Sequence, residues 1–227
     1  YYEDGSIQSK TNEIVYDTNY NVIKTISDYN QAKGQKLEKR MYYPYHYSIS
    51  NGPVATLKNA GIFMPISSEE WITGSGEPRL LSLNVAALQQ LPSGYIKPLA
   101  SYALLSKKPL TVAEIGNFNP AELIRNSNYI REVSRITQYD ANGNAVEVYD
   151  PETNLYNAVI MGYGNKIPIA KVAQSKLSDA GYTSFEHNSE SSWSGVDSSG
   201  IRFESITGKQ GYELSAGSLQ KSGLNPT

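Results

Sequence analysis

Paired carboxylates, an oxygen-rich pattern that occurs twice, and two histidines are the residues from which any reaction here would have to be built. Glu69-Glu70, Glu147-Asp150 and Asp150-Glu152 could serve a glycosidase scheme only if the fold held two acids about 5 to 10 Å apart across a cleft. A solvated strand face accounts for them at less cost. The pattern D-x-N-x-N, which opens calcium loops, is written as Asp17-Asn19-Asn21 and again as Asp140-Asn142-Asn144. Such loops continue with Gly at the sixth position and Glu at the twelfth, where this chain has Val22 and Ala145, then Asp28 and Pro151. Turn chemistry is therefore the better reading of both. His46 and His187, in a chain without Cys, are too few for a zinc site, which needs three or four converging ligands. Neither GxSxG nor GxxxxGK[ST] occurs, and the glycines of MGYGNKIP are wrongly placed for a phosphate cradle. The expectation is a chain with no catalytic residues, no cofactor and no metal site, and not an enzyme.

Composition narrows the field further. The 227 residues suit one large β domain, or one domain plus a piece of another. Tyr is used 18 times against 4 Phe and 2 Trp, a bias that fits half-buried pleated surfaces whose phenols reach water or a partner. The run Tyr42, Tyr43, Tyr45, Tyr47 could be a sugar-stacking platform, but alternate strand residues pack their neighbours in the same way, and packing is the preferred reading. With 20 basic and 22 acidic residues, no basic stripe marks a nucleic-acid partner. No apolar run is long enough to cross a bilayer as a helix. The absence of Cys excludes disulfides and fits an exported protein as well as an intracellular one.

The elements that would position these residues are mostly hairpins. Tyr2-Glu3-Asp4-Gly5, Tyr16-Asp17-Thr18-Asn19-Tyr20-Asn21 and Tyr139-Asp140-Ala141-Asn142-Gly143-Asn144 each read as a turn leading into a strand-like run. In the third, Asp140 suits the first corner of a type I turn and Gly143 the position of positive φ. A two-residue Asn142-Gly143 type I′ turn competes with this and would change the register by one. The run ending at Pro44 reads as a strand. PVATLKNAGIFMPI reads as a short helix through Val54, Ala55 and Leu57, stopped by Gly61. NPAELIRNS reads as a brief helix capped by Asn119, with Pro120 first and Glu122 third. NVAALQQLPSGY has helical propensity yet follows the strand-like RLLSL, so its state is open. Residues 177–200 are rich in Ser and Gly and read as a linker, after which IRFESI and GYELSAG resemble short strands of a further β unit.

The turn Tyr139 to Asn144 resembles the YDxxGN repeat of bacterial YD-repeat, Rhs-like proteins. Met161-Gly162-Tyr163-Gly164-Asn165, followed by Ile167-Pro168-Ile169-Ala170-Lys171-Val172, is similar to the closing motif of large surface members of that family. LKNAGIFMPISSEEWI and YIKPLASYALLSKKPL also resemble segments of those proteins, so the likeness covers residues 1–176. Tyr20 departs from the usual Gly, and Met161 from the usual Trp. If the early turn keeps the geometry of the late one, Tyr20→Gly would be neutral or mildly stabilising.

The resemblance implies a mainly β fold in which YD-repeat hairpins form a curled or spiral sheet with a few short helices. It assigns Tyr139, Asp140, Gly143 and Asn144 to the structural turn, and Gly162, Tyr163 and Pro168 to the closing motif. The expected organisation is a repeat region over 1–176, a linker over 177–200 and the start of a jelly-roll-like module over 201–227. The implied role is structural, within a secreted or cell-surface polypeptide. Its partners would be the remainder of that polypeptide, accessory surface subunits, or outer-membrane export machinery. The alternative is a surface binding module that recognises glycan or protein through its C-terminal β domain. The first residues, YYEDGSIQSK, lack the character of a signal peptide and read as the middle of a repeat.

Overall fold

The computed structural model describes residues 10–30, 34–74, 76–116, 118–119, 124–125, 128–183, 185, 193–195, 198–203, 209–213, 215 and 217–222. The first turn read from the sequence, Tyr2 to Gly5, lies outside them. The chain is mainly β, with antiparallel strands and two short helices, and it divides into two compact units, Tyr1–Val133 and Ser134–Thr227. That division falls well before the change of composition at residue 177, which lies inside the second unit.

In the first unit, β1 (Lys10–Tyr16), β2 (Ile23–Asn30), β3 (Gln35–Tyr42), β4 (Ser67–Thr73), β5 (Arg79–Gln90) and β6 (Ile96–Leu104) form a meander in which each strand pairs with the next. The short β7 (Leu110–Thr111) returns to pair with β5. β5 contains the segment NVAALQQ, whose helical propensity yields to pairing with β6 along its length and with β4 at Asn84 and Val85, because an extended chain here satisfies its backbone groups on neighbouring strands. Its core residues Leu80, Leu83, Val85 and Ala87 are not evenly spaced. A bulge explains the gap: Glu70 pairs with Ser82 and Trp71 with Leu80, so Leu81 is the extra residue and lies 37% exposed. Trp71, Ala100, Tyr102, Leu110, Ile115 and Ile130 complete the core with them.

Helix α1 (Gly52–Asn59) buries Val54, Ala55 and Leu57. It stops at Gly61, which has φ 67°, while the Ile62 N–H donates to the Leu57 carbonyl at 2.9 Å and the Gly61 N–H to that of Lys58 at 3.1 Å. This is a Schellman ending, and glycine is the residue that enters it without a Cβ penalty. Helix α2 (Val112–Ile115) is closed by a capping box in which Thr111 Oγ1 accepts from the Glu114 N–H and Glu114 Oε2 accepts from the Thr111 N–H. The sequence reading placed such a box at Asn119 instead. Asn119 belongs to β8 (Phe118–Asn119), which pairs with β9 (Ile124–Arg125). A residue paired in a strand cannot cap a helix, and residues 120–123, where that helix was expected, lie outside the described residues.

The second unit takes up β10 (Ile130–Tyr139), which begins in the first, and continues through β11 (Ala145–Asp150), β12 (Leu155–Gly162) and β13 (Ile167–Val172), each antiparallel to the one before. Pro168 sits beside a bulge in β13, where Met161 pairs with Pro168 and Ile160 with Ala170. A residue without an N–H is tolerated at such a place. Beyond β13 the chain stays attached. Leu177 donates its N–H to Glu147 Oε2 at 2.7 Å, the Lys176 ammonium lies 4.8 Å from the Tyr156 ring centre, and Ala180 is buried. The start of the expected linker is therefore docked on its own unit. Further on, β14 (Ile201–Arg202) pairs with β15 (Gly211–Tyr212), and Ser194 bridges Gln220. Residues 204–206 of IRFESI and parts of GYELSAG lie outside the described residues.

Leu110 is fully buried, so Leu110→Ala should lower stability by about 2–5 kcal/mol. Leu81→Ala, at the exposed bulge, should cost less than about 1 kcal/mol. Chemical denaturation of the two variants checks the phase of β5: equal losses would place the bulge elsewhere.

Candidate functional site

Three strands end in Tyr-Asp, and all three aspartates do the same thing. Asp17 Oδ1 accepts from the N–H groups of Asn19 and Tyr20 at 2.8 and 3.1 Å. Asp140 Oδ1 accepts from those of Asn142 and Asn144 at 2.9 and 2.8 Å. Asp150 Oδ1 accepts from those of Glu152 and Thr153 at 2.9 and 3.3 Å, and these bonds hold its carboxyl below the ordinary carboxylate value. Each carboxylate satisfies donors that the reversal leaves without a strand partner. Each turn also has one left-handed residue before the next strand: Asn21 at φ 53°, Gly143 at 77° and Asn154 at 58°.

The late turn has the type I form. Gly143 donates its N–H to the Asp140 carbonyl at 3.0 Å, Asp140 donates to that of Asn144 at 3.0 Å, and Tyr139 pairs with Ala145. The early turn is one residue longer. Asn21 donates to the Asp17 carbonyl at 3.0 Å, Asp17 donates to that of Val22 at 2.8 Å, and the left-handed position moves to Asn21. Tyr20 thus does not replace a turn glycine. Its ring packs against Tyr45, 4.3 Å between centres, and Phe63, 4.6 Å. The geometry under which Tyr20→Gly was expected to be neutral or mildly stabilising is therefore not the one present.

The structural turn and the closing motif come together in space. Tyr163, Gly164 and Asn165 all have positive φ, and Lys166 closes their loop by donating to the Gly162 carbonyl at 3.0 Å. Asn142 Nδ2 donates to the carbonyls of Gly164 and Asn165 at 3.1 and 3.2 Å. Asn144 Nδ2 donates to Asp140 Oδ2 and to the Asn165 carbonyl, both at 2.8 Å. Two hairpin loops, β10–β11 and β12–β13, are thereby clamped by two carboxamides. The D-x-N-x-N residues here present amide N–H groups to the carbonyls around them, and the oxygens of Asp140 are already accepting. Among the described residues, no group of three or more His, Asp or Glu is placed to hold a metal ion.

The carboxylate pairs do not face each other as acid and base. Glu69 and Glu70 are successive in β4 and point to opposite faces. Glu69 Oε2 accepts from Tyr42 Oη at 2.9 Å and Trp71 Nε1 at 2.7 Å, whereas Glu70 accepts from Ser82 Oγ at 3.1 Å. Glu147, 8% exposed, accepts from Thr137 Oγ1 at 2.6 Å and from Leu177, while Asp150 closes a turn.

The tyrosine run divides its work. Tyr43 stacks on Tyr45 at 5.7 Å, and Tyr45 lies 4.2 Å from the His46 ring and 5.6 Å from Phe63. Tyr42 and Tyr47 instead line a cleft of about 470 Å³ whose floor is Trp71, Leu80, Leu83 and Ile115, with Glu69 and His46 at its polar side. Burial and the neighbouring Glu69 carboxylate push the Tyr42 phenol up to about 12. Burial, with Asp17 beside it, pushes Tyr45 to about 12 as well. The cleft was hidden from sequence reasoning, because its residues come from segments far apart in the chain; the Tyr-rich run was the one visible signal. No protein-family model, curated protein or solved structure matches this chain.

Gly143→Val should destabilise the second unit by roughly 1–2 kcal/mol, because a β-branched residue resists positive φ. Asn21→Gly should be neutral or stabilising by up to about 1 kcal/mol, whereas Tyr20→Gly should cost roughly 1–2 kcal/mol through lost ring contacts. Thermal unfolding orders the three variants, and the reverse order for residues 20 and 21 would contradict the wider turn.

Raised phenol pKa values mean that the folded state holds these protons more tightly than the unfolded state does. Their contribution to stability is complete below the ordinary value of 10.0 and is lost as pH rises toward about 12. Burial raises Tyr43, Tyr47 and Tyr139 as well, so ultraviolet titration should show a group of late-ionising phenols, with one fewer in Tyr42→Phe.

Proposed function

We propose that the chain is a non-enzymatic structural segment of a large exported, Rhs-like cell-surface protein. In this reading its hairpins form part of a curled or spiral sheet, and its partners are the rest of the same polypeptide, accessory surface subunits or outer-membrane export machinery. The observation that carries the reading is the clamp between the two loops. The hydrogen bonds of Asp140, Asn142 and Asn144 among the described residues close their own turn and tie it to the Gly164–Asn165 backbone. A repeated Tyr-Asp turn that docks on its neighbour's loop suits a wall built of many similar hairpins. Of the acidic residues first considered for catalysis, Asp150 closes a turn, Glu147 holds the docked chain at Leu177, and one oxygen of Glu69 accepts from Tyr42 and Trp71.

Two measurements test the proposal. Antibodies raised against this segment should label intact cells that make the parent polypeptide, and external protease should remove the label. Purified protein should show no turnover of polysaccharides, esters or peptides. A segment protected within intact cells, or an activity abolished by one carboxylate substitution, would overturn it.

A further inference from the structure

The cleft beside β4 has a polarity pattern that the structural role does not use. Its floor is apolar and closed, with Trp71 7% exposed and Leu80, Leu83 and Ile115 also buried. Among the described residues, both hydrogen bonds that reach Glu69 end on Oε2, which leaves Oε1 as an acceptor. His46 has the opposite character. Its Nδ1 accepts the Tyr43 N–H at 3.0 Å, so the ring proton of the neutral imidazole sits on Nε2 and makes that atom a donor. Burial lowers the His46 pKa, which favours this neutral form. The Tyr42 and Tyr47 rings border the same space.

The volume, about 470 Å³, is that of a small-molecule site. Charge then narrows the ligand. An anion would meet the Glu69 carboxylate. A cation would meet the His46 N–H, with the Arg40 guanidinium already stacked 5.0 Å from the Trp71 ring centre. A neutral molecule with an apolar face and hydroxyls that both donate and accept suits the apolar floor, the Glu69 acceptor and the His46 donor together. We infer that this cleft binds a neutral saccharide unit, one hydroxyl donating to Glu69 Oε1 and another accepting from His46 Nε2. This site lies in the first unit, apart from the C-terminal segment in which sequence alone placed glycan recognition.

The Trp71 indole N–H reports on the cleft, because it bonds the same carboxylate. Its proton–nitrogen NMR resonance should be followed while methyl glucosides, galactosides and mannosides are added to the whole chain. At least one should give a saturable shift, while glucuronate and butylammonium should give none. Glu69→Gln turns an acceptor into an amide and should weaken binding at least tenfold. Val112→Trp supplies a second test that leaves the core alone, since Val112 lines the cleft and is 60% exposed. It should block binding without changing the unfolding midpoint. No saturable shift with any neutral sugar, an equal response to the charged probes, or unchanged binding in the folded Val112→Trp variant would overturn the inference.

Discussion

Reversing an extended chain strands backbone N–H groups that the neighbouring strand cannot reach, and the structure of this protein depends on how that deficit is met. At three turns the answer is an aspartate at the end of the strand or just beyond it. Asp17, Asp140 and Asp150 each turn one carboxylate oxygen onto two N–H groups ahead. With those donors satisfied, one left-handed residue is enough to aim the chain back, and Gly or Asn takes that place at least strain. The preceding tyrosine is less uniform. Tyr149 pairs with Tyr156 and donates to Asn154 within its own turn, whereas Tyr16 is exposed. The aspartate is thus the common element, and the tyrosine adapts to its place in the sheet.

Clean turns do not by themselves place side chains on the right face, and bulges do the rest. The extra residue Leu81 lets Leu80 and Leu83 share one core although alternation would separate them. Similar irregularities adjoin Pro98 in β6 and Pro168 in β13, where a ladder donor is missing. Glu147 shows the same economy with a charged group. A buried carboxylate is costly unless bonded, and here the Thr137 hydroxyl and the Leu177 N–H both bond it. The bond to Leu177 also draws the chain after β13 back onto its unit, although its composition reads as a linker.

The aromatic residues show why composition alone does not assign a role. Four tyrosines within a few positions look alike in the sequence, yet the strand ends at Tyr42 and a 3-10 turn follows at Pro44–His46. That change of backbone sends Tyr43 and Tyr45 into a packed aromatic group with Tyr20 and Phe63. Tyr42 stays with Glu69 and the cleft. Packing and recognition surfaces are built from the same residue type a few positions apart.

The sequence by itself determined the local reversals. The Tyr-Asp-x-Asn-Gly-Asn wording points to the residue that accepts and the one that goes left-handed, because the groups involved lie within five positions, while the observed pairing decided between its two registers. The Gly61 stop of α1 was legible for the same reason. Tertiary structure decided what had no local signature. NVAALQQ became strand because β6 pairs along its length, Asn119 paired instead of capping, and Tyr20 was held by rings from Tyr45 and Phe63. The cleft and the Asn142–Asn165 clamp likewise join residues distant in the chain. Short-range hydrogen bonding is encoded in neighbouring residue types, whereas burial and pairing depend on which surfaces meet, and only the folded chain brings those surfaces together.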